Sequence, residues 1–89
     1  LAGRVAVAIG GYTNGGVDVL RAYFDAGIGT VLTMHFPEAD LREAREQKLP
    51  GNLVVTGHMA SDSIGVNVFL DELQRLGLTI TRAGGIIVP

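Results

Sequence analysis

Short apolar runs and longer periodic stretches alternate along the chain. Val5-Ala6-Val7-Ala8-Ile9, Val31-Leu32-Thr33-Met34 and Leu53-Val54-Val55-Thr56 are apolar or nearly so, and glycine bounds each. Runs rich in β-branched residues without polar alternation suit strands of a parallel sheet covered on both faces. Between them the period lengthens to that of a helix. Val17, Leu20 and Phe24 recur at helical spacing, and Gly27 supplies a stop. Residues 37–48 predict a second helix, with Pro37 at its first position and Glu38–Arg42 and Arg42–Glu46 pairs four apart. Most residues of this stretch are charged, so the helix lies largely in solvent. Val66, Phe69, Leu70, Leu73 and Leu76 form the apolar stripe of a third helix, which Gly77 ends.

Leu78-Thr79-Ile80-Thr81 reads as a fourth strand. The predicted order is therefore β-α-β-α-β-α-β. It implies right-handed crossovers and a mostly parallel sheet in an α/β, Rossmann-like layered domain. Gly84-Gly85-Ile86-Ile87-Val88-Pro89 fits either a further strand or a segment whose partner lies outside the chain. No internal repeat or linker interrupts residues 1–89, which are expected to form a single α/β domain.

Length and charge narrow the class. Eighty-nine residues suffice for one domain and not for two. No cysteine is present, which removes disulfides and cysteine-based zinc sites. Seven Lys and Arg against nine Asp and Glu give a formal charge of −2, which argues against a nucleic-acid partner held by a basic face. The apolar runs are far shorter than the ~20 residues that span a bilayer, so no membrane association is expected. A cytoplasmic setting is the expectation. The first residue is Leu, which suggests a processed or excised chain.

In open parallel sheets, ligands bind at the carboxyl ends of the strands. Three segments fall there: Gly10-Gly11-Tyr12-Thr13-Asn14-Gly15-Gly16, His35-Phe36-Pro37, and Gly57-His58-Met59-Ala60-Ser61-Asp62. Both histidines of the chain are among them. The glycine-rich segment joins a strand to a helix, where backbone N–H groups can hold a phosphate. Tyr12 and Thr13 depart from the dinucleotide spacing, and no Gly-Lys-Ser/Thr follows as in a P-loop. A plain strand–helix turn explains the segment as well as a lining for a ligand site does. His58 and Asp62, four apart, can converge on one metal ion if they lie on one turn of helix. Ser61, Asp62 or Ser63 could instead cap the third helix, where an acidic residue favours the dipole. His35 fits a hydrogen-bonded histidine at a strand end. No nucleophile elbow surrounds Ser61 or Ser63, and no carboxylate pair stands out for acid–base work.

The segment from Gly57 onward changes that balance. Gly57-His58-Met59-Ala60-Ser61-Asp62 followed by Gly65-Val66 resembles the Gly-His-x-x-Ser-Glu-x-x-Gly signature of the Nif-three-like family, dinuclear-metal proteins also labelled GTP cyclohydrolase I type two. Val5-Ala6-Val7-Ala8-Ile9-Gly10-Gly11 is similar to the family's Val-Ala-x-Cys-Gly-Gly strand and loop. Asp25-Ala26-Gly27 is similar to its Ala-Gly helix end, and Glu43-Ala44-Arg45-Glu46-Gln47 falls in the helix before the Gly-His motif. Residues 4–80 thus resemble the second, C-terminal half of that family.

The resemblance implies that His58 and Asp62 are metal ligands. The remaining family ligands, a His-His-Pro pair and an Asp, come from the first half. His35-Phe36-Pro37 is not that pair, because it lies between the glycine loop and the Gly-His motif. Three residues depart from the family pattern: Asp62 stands for Glu, His35 for an acidic residue after the second strand, and Arg42 for a histidine common in the next helix. His35, Gly10, Gly11, Asn14 and Ser61 are the site-lining candidates, with His35 a candidate substitute ligand. Imidazole with carboxylate suits zinc, manganese or iron, and the family site holds two divalent ions. The chain is then expected to be half of a larger two-part metal protein, partnered by the N-terminal half and assembled as a homo-oligomer. If that site is complete, metal-dependent hydrolysis is the implied chemistry. Two other readings stand beside it: a structural or oligomerisation domain without chemistry of its own, and a phosphate- or nucleotide-binding module using residues 10–16.

Overall fold

A computed structural model describes residues 1–9 and 15–89. The chain divides into two compact units, Leu1–Thr56 and Gly57–Pro89. The first alternates strand and helix: β1 (Arg4–Ala8), α1 (Gly16–Asp25), β2 (Ile28–Thr33), α2 (Glu38–Glu46) and β3 (Asn52–Val55). The strands form one parallel sheet in the order β1-β2-β3. The α/β layered fold expected from the alternating pattern is therefore present.

Register and burial explain how this unit holds together. Ala6 pairs with Val31 and Val31 with Leu53, so these side chains share one face of the sheet. Successive crossovers in the same direction bring α1 and α2 to that face. There Val17, Leu20 and Phe24 of α1 pack with Val31 and Ala44 into the buried core, with Ala8, Phe36, Leu49 and Leu53 around it. The spacing of 17, 20 and 24 is the helical period read from the sequence. Full burial of each large side chain contributes about 1.5–3 kcal/mol. Within this unit both helices take that one face. Val5, Val7 and Val54 lie on the opposite face and remain exposed, Val7 by 67 %.

Helix boundaries follow local chemistry. Gly15, at φ 83°, caps α1, and a β-carbon there would stand 2.1 Å from Val19 Cγ2. A side chain at this position meets both a strained backbone and a collision. Gly27, at φ 86°, follows the end of α1 as expected, its N–H donating to the Phe24 carbonyl at 3.0 Å. Pro37 precedes α2 as its N-cap, one position earlier than predicted. Among the described residues, neither Glu38–Arg42 nor Arg42–Glu46 forms an ion pair. Gln47 Nε2 donates instead to Glu43 Oε1 at 2.9 Å. An exposed pair contributes only about 0.3–0.5 kcal/mol, too little to hold two long side chains.

The second unit is α3 (His58–Arg75) and the segment that follows it. The predicted fourth strand at residues 78–81 does not form among the described residues. A strand exists only through a ladder, and this stretch has none. The chain is tied to α3 by side chains further on. Arg82 Nε donates to Asn67 Oδ1 at 2.8 Å, and its guanidinium also reaches Asp71 Oδ1 at 2.7 Å. Asn67 Nδ2 donates to the Ile87 carbonyl at 2.6 Å, and the Ile87 N–H donates to Ser63 Oγ at 2.9 Å. The apolar stripe is only partly covered: Val66, Leu70 and Leu73 are half-buried, whereas Phe69 and Leu76 are exposed.

Candidate metal centre

Gly57 sets the start of α3. Its φ of 86° and ψ of 152° lie in a region that is essentially glycine-only. Helix begins at the next residue, so His58 and Asp62 fall one turn apart on the same face. His58 Nε2 lies 2.9 Å from Asp62 Oδ2, with the two side chains 63 % and 44 % exposed. Two ligand atoms held about 2.0–2.2 Å from one divalent ion stand about 3.0 Å apart at an octahedral angle and about 3.4 Å apart at a tetrahedral one. The observed spacing and the imidazole–carboxylate donor set therefore fit a shared divalent ion as a partial ligand pair. Without an ion, the same spacing is a helical His–Asp pair.

The serines take a different part from the capping role that the sequence suggested. Because Gly57 starts the helix early, Ser61 and Ser63 lie inside it. Each hydroxyl bonds back by four residues: Ser61 Oγ donates to the Gly57 carbonyl at 2.6 Å, and Ser63 Oγ to the Met59 carbonyl at 2.5 Å. Ser61 N–H also donates to the Gly57 carbonyl, at 3.1 Å. Asp62 stands in the second turn, so the first turn holds no acidic residue.

His35 lies in the first unit, just past β2, and is half-buried. Its carbonyl accepts from Thr33 Oγ1 at 3.2 Å, a side chain that is 2 % exposed. Thr56 N–H donates to the Thr33 carbonyl at 2.9 Å, carrying the ladder one residue past β3. Gly10, Gly11 and Asn14 lie outside the described residues. Among the described residues, no group of three or more His, Asp or Glu side chains is placed to hold a metal ion. His58 and Asp62 are brought together, and further ligands must come from elsewhere if they serve a metal.

At the other end of α3, Arg75 bonds the Glu72 carboxylate through Nε at 3.0 Å and through a second guanidinium nitrogen. This bonding holds the Glu72 carboxyl below its ordinary range and raises the Arg75 guanidinium. Among the described residues, no helix is long and apolar enough to cross a membrane. Sequence reasoning missed Ser63 as the point where the chain after α3 is tied down. Ser63 holds one of the unspecified positions between Asp62 and Gly65, and nothing local in the sequence marks it.

Comparison with known proteins supplies the context. No family model and no curated protein matches the chain. Among solved structures it is similar to a NIF3 superfamily protein from Sphaerobacter thermophilus, with 43 % sequence identity and a TM-score of 0.79. The match covers 94 % of this chain and 30 % of that one.

Proposed function

The chain is NIF3-like over nearly its whole length, and from that premise we propose that it supplies His58 and Asp62 to the dinuclear metal site of a larger metal-dependent hydrolase. The observation that carries this reading is the 2.9 Å approach of His58 Nε2 to Asp62 Oδ2 on the Gly-His-x-x-Ser segment. The chain would be the second half of that protein, working with its N-terminal half in a homo-oligomer. Its match to 30 % of a longer relative supports a partner of this kind.

When bound, a divalent ion would supply Lewis-acid chemistry and lower the pKa of water at the site. The residues of this chain do the positioning. Gly57 admits the backbone turn that starts the helix at His58. Helical spacing then sets Asp62 beside the imidazole. Ser61 satisfies the Gly57 carbonyl at the head of the helix.

Metal analysis of the full-length protein tests the proposal. Zinc, manganese or iron at two per site is expected, with a large loss in His58→Ala and in Asp62→Ala. Full metal content in both variants would overturn the ligand role and favour an assembly domain. The isolated 89-residue chain, holding only part of the ligand set, is expected to bind zinc weakly. Sub-micromolar zinc binding by this chain in calorimetry at neutral pH would contradict that expectation.

A further inference from the structure

We propose that residues 82–89 form a clasp on α3, and that Ser63 is the positioning residue through which the clasp steadies the turn bearing His58 and Asp62. The ligand role of those two residues rests on the function proposed above; the clasp itself rests on the structure of the second unit.

α3 begins at a glycine and has no side-chain cap and no acidic residue in its first turn. No acidic side chain in that turn offsets the helix dipole, and a helix end is the part that opens most readily. Fraying there would separate His58 from Asp62. The segment after α3 supplies a restraint in place of a cap. Ser63, Asn67 and Asp71, spaced by four along one face of the helix, all bond to residues 82–87. Both backbone groups of Ile87 are taken, the N–H by Ser63 and the carbonyl by Asn67.

Ser63 is the member that reaches the site. It is 3 % exposed, and its one hydroxyl proton goes to the Met59 carbonyl, which leaves its lone pairs for the Ile87 N–H. Met59 follows His58 directly, so the Ile87–Ser63–Met59 chain of bonds ends in the first turn. A second contact supports it. A β-carbon built on Gly85 would stand 3.4 Å from Met59 Cε, so the Met59 methyl group lies against the Gly85 backbone.

The test compares the 89-residue chain with Ser63→Ala, Ser63→Thr, a chain ending at Gly84, and that shorter chain carrying Ser63→Ala. Zinc ion alone is the probe, followed by NMR at His58 and Asp62, with the resonances of residues 1–56 reporting that the first unit is folded. Ser63→Ala and the shortening are each expected to weaken zinc binding about threefold to tenfold, in line with one lost hydrogen bond. The combined variant is expected to be no weaker than either, and Ser63→Thr to restore the affinity. Unchanged affinity, or losses that multiply in the combined variant, would overturn the clasp. Zinc shifts that bypass His58 and Asp62 in the unaltered chain would sink the ligand reading instead. The clasp is then decided by metal-free amide exchange at residues 61–64. Equal acceleration in Ser63→Ala and the shortened chain supports it, and unequal or absent acceleration overturns it.

Discussion

The two units of this chain are held by different forces. In Leu1–Thr56, Val17, Leu20, Phe24, Val31 and Ala44 bury an apolar core against one face of a parallel sheet. In Gly57–Pro89, Ser63 alone is buried among the described residues, and directional bonds from Ser63, Asn67, Asp71 and Arg82 join the helix to the segment after it. Apolar burial is non-directional and tolerates small shifts, whereas a hydrogen bond is lost with one atom. The candidate ligand pair lies in the second kind of structure. Its geometry should therefore respond to single polar atoms that would matter little in the core.

The largest expected effect falls in the first unit. Phe24→Ala should cost about 3–5 kcal/mol in denaturant unfolding, because it removes the largest side chain of the buried core. A cost under 1 kcal/mol would show that the core is not what holds this unit. Next comes Gly57→Ala, expected to cost about 1–3 kcal/mol by forcing a side chain into a glycine-only conformation. The loss should appear as faster amide exchange at residues 58–62, and unchanged exchange there would break the link between Gly57 and the start of the helix. Thr33→Val should cost about 1 kcal/mol, since the buried donor to the His35 carbonyl disappears. NMR shifts confined to residues near 33–35 are expected to accompany it.

The smallest effect is a pH dependence at the far end of α3. Arg75 holds the Glu72 carboxyl low, so its contribution is present above the ordinary carboxylate range. That contribution fades as the pH falls through the lowered value. Amide exchange at residues 72–75 should quicken, relative to the rest of α3, on acidification through that range. Glu72→Gln should abolish this added pH dependence. Both groups are solvent-exposed, so global stability should barely move.

Much of the fold was legible because its signals are local. The apolar runs at 5–9, 31–34 and 53–56 became strands within three residues at each end, and Val17, Leu20 and Phe24 became the buried face of α1. The stretch at 78–81 misled, since β-branched residues favour a strand but cannot supply the neighbour that makes one. Capping by Ser61–Ser63 misled for a related reason. Polar residues before an apolar stripe fit a helix start, yet the Gly57 backbone begins α3 at His58. The site was legible in part: the four-residue spacing of His58 and Asp62 allowed the pair, and the helix made it. Ser63 was not legible as a tie, because its partner lies 24 residues away.

By itself the sequence determined what depends on neighbours along the chain. Periodicity set the alternation of strand and helix, glycines marked where the backbone must turn, and the order of residues in the Gly57–Asp62 segment pointed to the NIF3-like family. Tertiary structure decided what depends on partners distant in sequence. It chose which sheet face α1 and α2 cover, denied residues 78–81 a ladder, and gave Ser63 and Asn67 the backbone of Ile87. Local propensities are weighed over a few residues, whereas a strand pairing or a buried hydroxyl's partner is chosen only when remote segments meet.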